Sequence, residues 1–325
     1  METSLSAENL IPEKDTLLKA AEIIRPYAHI TPVYTSHSID DITGSHLYFK
    51  CENFQKVGAF KFRGACHAVF RLSDDEAAAG VATHSSGNHA QAVALSAKIR
   101  GIPAYIVMPE NAPRIKVQAV KEYGADITFC APTLNARETT LKQVVRETGA
   151  TFIHPYNNPE VIAGQATAAM ELLESVPDLD WIIAPVGGGG LLSGTALAAR
   201  YFSPETEVFG AEPVRADDAY RSFHAGHLIQ AEHPDTIADG LRTSLGNLTF
   251  TIIHHYVQDI FRVEEATIIR AMRMIWERMK LVIEPSAAVG PGALIEQNRI
   301  PAEIRIGIIL SGGNVDLTQL PWNHA

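Results

Sequence analysis

The 325-residue chain has little cysteine, a deficit of positive charge and no long apolar run. Its three cysteines, Cys51, Cys66 and Cys130, are too few and too scattered for a disulfide framework and form no CxxC pair. Reduced thiols in a cytoplasmic enzyme are the simplest expectation. Lys and Arg number 27 against 37 Asp and Glu, a net charge of −10, which excludes the basic face of a nucleic-acid-binding protein. No apolar stretch reaches the roughly 18 residues of a membrane span, so no membrane role is expected. The opening residues Met1 to Glu8 hold acids and no basic or apolar leader, so no secretory signal is expected either. HExxH is absent, and His254-His255 reads as surface or packing rather than as a metal site.

What remains is a globular composition, 46% hydrophobic and 20% charged, with length for about two domains. Short β-branched runs alternate with helical patterns. Expected strands are Leu47–Cys51, Gly80–Thr83, Ala104–Met108, Asp126–Cys130, Thr151–His154, Trp181–Val186, Glu207–Ala211, Asp259–Val263 and Ile304–Leu310. Expected helices include Asn88–Arg100, Arg114–Tyr123, Leu134–Glu147, Leu191–Tyr201 and Glu264–Lys280. Such alternation predicts an α/β fold with mostly parallel sheets, whose ligands sit beyond the carboxyl ends of the strands. No repeat or long linker separates two halves, so a second domain is expected as an insertion.

One stretch stands out. Gly187-Gly188-Gly189-Gly190 lies between an apolar strand signal and a helix signal. Bare N–H groups feeding a helix N-terminus make an anion site, above all for phosphate. A flexible linker is the plain alternative, but linkers are not hemmed in by strand and helix signals. Two owners of such a cradle are excluded. A P-loop needs Lys after the last glycine of the Gly189 to Gly194 spacing, and Thr195 stands there. The dinucleotide fingerprint needs a third glycine where Leu192 or Ser193 is found. A cofactor with a single phosphate is left.

Three other loops follow strands or open helices: Thr83 to His89, Ser311 to Asn314, and Gly58 to Ala65. Each has a bland reading, since Ser and Asn cap helices and a lone Lys is usually solvated. Lys61, set between Phe60 and Phe62 at a helix start, is the exception. Partial desolvation and the positive helix end should lower its pKa, as Schiff-base chemistry requires. A reactive amine with a one-phosphate cradle suggests pyridoxal phosphate.

Gly58-Ala59-Phe60-Lys61-Phe62-Arg63-Gly64, Ser85-Ser86-Gly87-Asn88-His89, the tetraglycine and Ser311-Gly312-Gly313-Asn314 together resemble the fold-type II pyridoxal-phosphate enzymes. The branch they look most like is that of the serine racemases and serine/threonine dehydratases, over about Ile30 to Asp316. The resemblance implies two open, mostly parallel twisted sheets with flanking helices, as in the tryptophan synthase β subunit. It divides the chain into a large cofactor-binding domain (1–55 and 158–325) and a smaller mobile domain (56–157, core about 80–157). Lys61 would hold the cofactor covalently and later act as base. Gly187, Gly188, Gly189, Gly190 and Leu191 would bind its phosphate, Asn88 its phenolic oxygen, and Ser311 its pyridine nitrogen, with Phe60 packed nearby. A neutral Ser311 makes the ring a weaker electron sink than a carboxylate would, favouring prompt loss of a β-hydroxyl or quick reprotonation over transamination.

Ser86 would face Lys61 across the cofactor and serve as the second acid/base of a racemase. Threonine dehydratases of this kind carry Ala at the position matching Ser85 or Ser86. The alternative is that Ser85, Ser86, Asn88 and His89 only bind the substrate carboxylate. Arg137 matches an arginine that grips substrate on closure, although a surface role is the alternative. Glu212, Asp218 and the Ala216 carbonyl match a Mg2+ (or Ca2+/Mn2+) site of the racemase branch. The resemblance does not carry over to ATP activation. Lys56, Gln91 and Tyr123 match such a site, but Val57 replaces a threonine and His37 a serine. Feedback by isoleucine is not expected, because the chain ends soon after Asp316.

The implied function is a homodimeric serine racemase with serine dehydratase activity. Its rival is a 3-hydroxyaspartate dehydratase, for which Arg242 and Arg137 could meet a second carboxylate. The segment Asp217–Phe223 and the ending Leu320–Asn323 look similar to such enzymes. A catabolic threonine dehydratase is third. A catalytically dead amino-acid sensor would keep the fold, though the intact Lys61 argues against it.

Overall fold

The computed structural model describes residues 7–112, 114–296 and 300–322. Met1 to Ser6 and Asn323, on which two expectations rest, lie outside the described residues. Ten strands are seen: β1 Val33–Tyr34, β2 His46–Cys51, β3 Val81–His84, β4 Ala104–Pro109, β5 Asp126–Cys130, β6 Thr151–Phe152, β7 Trp181–Pro185, β8 Glu207–Pro213, β9 Asp259–Val263 and β10 Arg305–Leu310. They form a six-stranded sheet in the order β1-β2-β10-β7-β8-β9 and a four-stranded sheet in the order β5-β4-β3-β6. All pairings are parallel except β1 with β2. The expected α/β fold with two mostly parallel sheets is therefore present.

The larger sheet is buried on both faces, and its strands read as unbroken apolar runs for that reason. Side chains alternate across it. Ile182, Ala184 and Ile309 enter the core under helices Pro159–Ser175 and Gly190–Phe202, whereas Ile183, Ile306, Ile308 and Leu310 enter the core on the other side. Gly307 faces the first core, where a Cβ would meet Leu172 and Leu179 within 2.7–2.9 Å. Between the crossovers, Ala65, Ala90, Val93, Ile106 and Val161 pack a third core beside the smaller sheet.

Several expected bounds shift for physical reasons. The strand expected at Thr151–His154 stops at Phe152, because the His154 Nδ1 accepts from the N–H groups of Tyr156 and Asn157 and turns the chain. The strand expected to end at Ala211 runs on to Pro213. β1 was not expected, and a two-residue edge strand carries no periodicity.

Helix Pro159–Ser175 was also not expected, although it sits at the centre of the molecule. Asn158 caps it, its Oδ1 accepting from the Glu160 and Val161 N–H groups, with Pro159 at the first position. It lies between two other helices, each at a glycine contact. A Cβ on Gly164 would come within 2.6 Å of the Arg63 carbonyl and the Gly64 Cα, and one on Gly194 within 2.6 Å of the Ala166 nitrogen. These contacts set how far the helix that starts at Lys61 stands from the helix that starts at Gly190. Replacing Gly164 by Ala should cost about 1–3 kcal/mol, seen as a lower urea midpoint with the slope unchanged. An undiminished midpoint would show that the two helices can separate freely.

Candidate active site

The carboxyl ends of both sheets meet at one crevice, and every expected site loop lies there. Lys61 opens helix Lys61–Arg71. It is brought to the large sheet by the Phe60 N–H, which donates to the Ser311 carbonyl at 3.0 Å, and by the Ala59–Gly312 bridge. From the opposite side its Nζ donates to the Pro155 carbonyl at 2.9 Å and lies 5.1 Å from the Phe60 ring centroid. Desolvation lowers its pKa to about 8. The amine is therefore far more available as a nucleophile or base than an exposed lysine.

The tetraglycine is buried, and contacts make its composition obligatory. Gly189 has φ +89° and caps helix Gly190–Phe202, whose first turn includes the buried Leu191. A Cβ on Gly187 would strike the Leu241 Cα at 2.9 Å. On Gly189 it would strike Leu245 and Thr249 at 2.7–2.8 Å, and on Gly188 the Tyr156 ring at 2.2–2.4 Å. Bare N–H groups at a helix start with no room for side chains fit a phosphate.

Facing it, Ser85, Ser86 and Gly87 lead into helix Asn88–Arg100. The Ser85 Oγ accepts from the Gly87 N–H at 3.2 Å. Ser86 is half-buried. The His89 ring is pinned by the Ile153 carbonyl at 3.1 Å, and burial holds its pKa well below the usual value. The ring is thus neutral, and the His89 backbone N–H lies in the first turn of the helix, where an anion is favoured. Asn88 is oriented by two neighbours. Its Nδ2 donates to the Glu284 Oε1 at 2.9 Å, and its Oδ1 accepts from the Asn314 Nδ2 at 2.9 Å. Ser311 is buried beside this chain of amides.

Behind the cradle, Glu212 is fully buried and accepts from the Ala219 and Tyr220 N–H groups at 3.0 and 2.9 Å. Asp218 is buried too, and neither of its carboxylate oxygens makes a close hydrogen bond among the described residues, although Ser244 and the Leu245 N–H partly favour its charged form. Burial, then mutual repulsion, holds Glu212 well above the usual range, and burial pushes Asp218 up to about 6. The buried Ala216 ends the short turn Val214–Ala216 beside them. Two oxygen donors forced together with unused lone pairs fit a hard divalent cation.

The two arginines behave differently. Arg137 is half-buried in the first turn of helix Leu134–Thr148 and pairs with no carboxylate among the described residues. Arg242 is exposed, and its Nε (2.8 Å) and Nη2 are both committed to the Thr236 carbonyl. Of the residues compared with an ATP site, Lys56 stacks on Phe62, and Gln91 is buried in helix Asn88–Arg100. Sequence reasoning missed Tyr156, His154 and Glu284, and it marked the Ser311–Asn314 loop without the contact between Asn314 and Asn88. Glu284 and Asn314 lie far from Asn88 along the chain, and no local pattern shows that the three meet.

Glu284 carries a pH signature. Burial, with repulsion from Asp239, raises its pKa to about 8. A raised folded-state pKa gives stability that is complete below the unfolded value near 4.5 and is lost as pH rises through 8. Between those limits the slope approaches about 1.4 kcal/mol per pH unit. Glu284→Gln in the cofactor-free protein should flatten that decline, measured by urea unfolding from pH 5 to 9. An unchanged slope would place the titration elsewhere.

Residues 24–312 match the family described as "Pyridoxal-phosphate dependent enzyme". The chain is 50% identical over 313 residues to the beta-hydroxyaspartate dehydratase of Paracoccus denitrificans (strain Pd 1222), covering 96% of this chain and 99% of that protein. It is also 50% identical over 307 residues to the serine racemase of Oryza sativa subsp. indica, covering 93% of this chain and 91% of that one. The structure of maize serine racemase superposes with a TM-score of 0.93 at 48% identity, covering 96% of each chain. The two-sheet fold is thus that of the fold-type II enzymes. The chain belongs to the pyridoxal-phosphate dependent enzyme family.

Proposed function

We propose that the chain is a racemase and ammonia-lyase of small β-hydroxy amino acids, with serine racemisation and serine dehydration as its leading activities. The observation that carries this reading is the buried, pKa-lowered Lys61 at a crevice whose far wall ends in Ser86. Bound pyridoxal phosphate supplies an electrophilic carbon for the amine and an electron sink for a carbanion at the substrate Cα. Lys61 would anchor the cofactor and take the α-proton. Ser86 would return a proton on the opposite face, giving the other enantiomer. Gly187, Gly188, Gly189, Gly190 and Leu191 would hold the phosphate, Asn88 and Ser311 the ring, and Phe60 would pack against it. Backbone N–H groups at Ser86, Asn88 and His89, with the Ser85 hydroxyl, would hold the substrate carboxylate, with Arg137 closing from the smaller unit.

A second reading, 3-hydroxyaspartate dehydratase, is favoured by Arg137, a half-buried guanidinium with no carboxylate partner, and by the dehydratase relative. We also infer that Glu212, Asp218 and the Ala216 carbonyl bind Mg2+ or a similar ion, which the orphaned Asp218 oxygens support. The mobile unit is proposed as the 80–157 core around the four-stranded sheet. A cytoplasmic homodimer completes the proposal. Buried, unpaired cysteines support the compartment, and exposed Ile30, Tyr34 and Phe54 support the contact between copies.

Lys61→Ala should abolish both the visible absorbance of the lysine-bound cofactor and all turnover. Ser86→Ala should remove D-serine formation from L-serine while pyruvate formation persists. Equal loss of both products would return Ser86 to a binding role. Added Mg2+ should raise the melting temperature more at pH 7.5 than at pH 5.5, because the cation displaces protons from Asp218 and Glu212. Asp218→Asn should erase that response.

A further inference from the structure

Tyr156 lies at the centre of the crevice, and the readings above give it no task. It directly follows Pro155, whose carbonyl takes the Lys61 Nζ at 2.9 Å. Its ring rests on the phosphate cradle. The Tyr156 Cβ lies 3.0 Å from where a Gly190 Cβ would stand, and its Cγ, Cδ1 and Cε1 lie 2.2–2.4 Å from a Gly188 Cβ. The side chain therefore runs from Gly190 across Gly188, and its hydroxyl projects beyond.

The ring is held firmly. The His154 ring packs edge-on at 4.6 Å, and its Nδ1 accepts from the Tyr156 N–H. The next residue, Asn157, accepts from the Leu248 N–H at 3.0 Å. Packing at both ends leaves the phenol little freedom to swing away, which is what a selective contact requires.

The hydroxyl itself is unspent: among the described residues it has no hydrogen-bond partner. Burial raises its pKa, the Asp218 and Glu138 carboxylates add to the rise and Arg137 opposes it, so the hydroxyl stays a neutral donor at physiological pH. A half-buried donor without a partner, near a guanidinium without a partner, suits an acceptor that arrives with the substrate. Arg242 cannot serve in its place, since its guanidinium is held by Thr236.

We propose that Tyr156 is a specificity-determining residue whose hydroxyl, together with Arg137, receives a carboxylate carried on the substrate Cβ. The crevice then admits β-hydroxy dicarboxylic amino acids beside serine, and these two groups set how well it takes them. This rests on the proposed racemase and ammonia-lyase function and refines its substrate class.

Tyr156→Phe tests it, because the ring that covers Gly188 is kept and only the donor is lost. The holoenzyme and the variant are compared by kcat/KM for 3-hydroxyaspartate and for L-serine. Binding of L-aspartate against L-alanine is read as the change in the visible absorbance of the Lys61-bound cofactor. The preference for the dicarboxylate should fall about tenfold in both measurements, the size expected for one hydrogen bond to a charged group. Combining Tyr156→Phe with Arg137→Gln should lower it by less than the product of the single effects. A preference unchanged in Tyr156→Phe overturns the proposal, as does an equal loss for all four amino acids accompanied by cofactor release. A wild-type enzyme that turns over L-serine and ignores 3-hydroxyaspartate overturns the proposal alone. One that turns over neither overturns the functional reading as well.

Discussion

Everything at the crevice depends on Arg63. It is fully buried, two residues beyond Lys61. Its Nε and Nη2 donate to Glu52 at 2.7 and 2.8 Å, and its Nη1 and Nη2 to Glu171 at 2.6 and 2.8 Å. Thr167, Thr31 and the His29 carbonyl take the remaining directions. Lys50, also buried, shares Glu171 and donates to the Thr31 carbonyl. Burying charge is costly unless every donor is matched, and a planar fork between two carboxylates is the arrangement that matches them. The network bonds the N-terminal segment, the end of β2 and helix Pro159–Ser175 to the first turn of the Lys61 helix. Removing one partner would leave uncompensated charge in the core, so the position of Lys61 is overdetermined.

The glycine contacts act on the same helices by a different force. Gly64 against Gly164, and Gly194 against Ala166, let backbones approach without intervening side chains. Ion pairing fixes where the Lys61 helix begins, and close packing fixes its spacing from the cradle helix. A phosphate at Gly187–Gly190, as proposed, and the Lys61 amine would thereby be set relative to one another by two constraints, one of buried ion pairing and one of close helix packing. Preorganisation of this kind is what binding geometry needs before any ligand arrives.

The sheets and motif loops were legible in the sequence because their signals are local. β7 and β10 are unbroken apolar runs, Gly187–Gly190 is a composition no ordinary turn uses, and Lys61 stands out against its aromatic neighbours. Helix Pro159–Ser175 was not legible, since a helix buried on several faces and rich in Ala shows little periodic contrast. Partners distant in sequence were hidden for another reason. Asn88 meets Glu284 and Asn314 only because two sheets put their carboxyl ends together. Tyr156 looks like an ordinary aromatic until the Gly188 contact is known. Sequence marks residues that need special local chemistry and passes over those whose importance comes from where the fold puts them.

The electrostatics of the crevice follow from burial more than from pairing. His89 and His154 are held neutral, the latter lowered to about 4, Glu284 is raised to about 8, and Lys61 is lowered to about 8. At neutral pH the two histidines and Glu284 are therefore uncharged, whereas Lys61, with a pKa about one unit higher than the pH, still carries most of its charge. Helices start at Gly190 and Asn88, and their dipoles favour the anions that the proposed phosphate and α-carboxylate sites would take. If Ser311 and Asn88 hold the cofactor ring as proposed, neither would add charge to it, and the ring would be a weaker electron sink than one paired with a carboxylate. Arg137 makes no ion pair among the described residues, so its guanidinium is open to an arriving carboxylate. Under the proposed substrate class, discrimination between a neutral and an acidic group on Cβ would fall to that cation and to the Tyr156 hydroxyl.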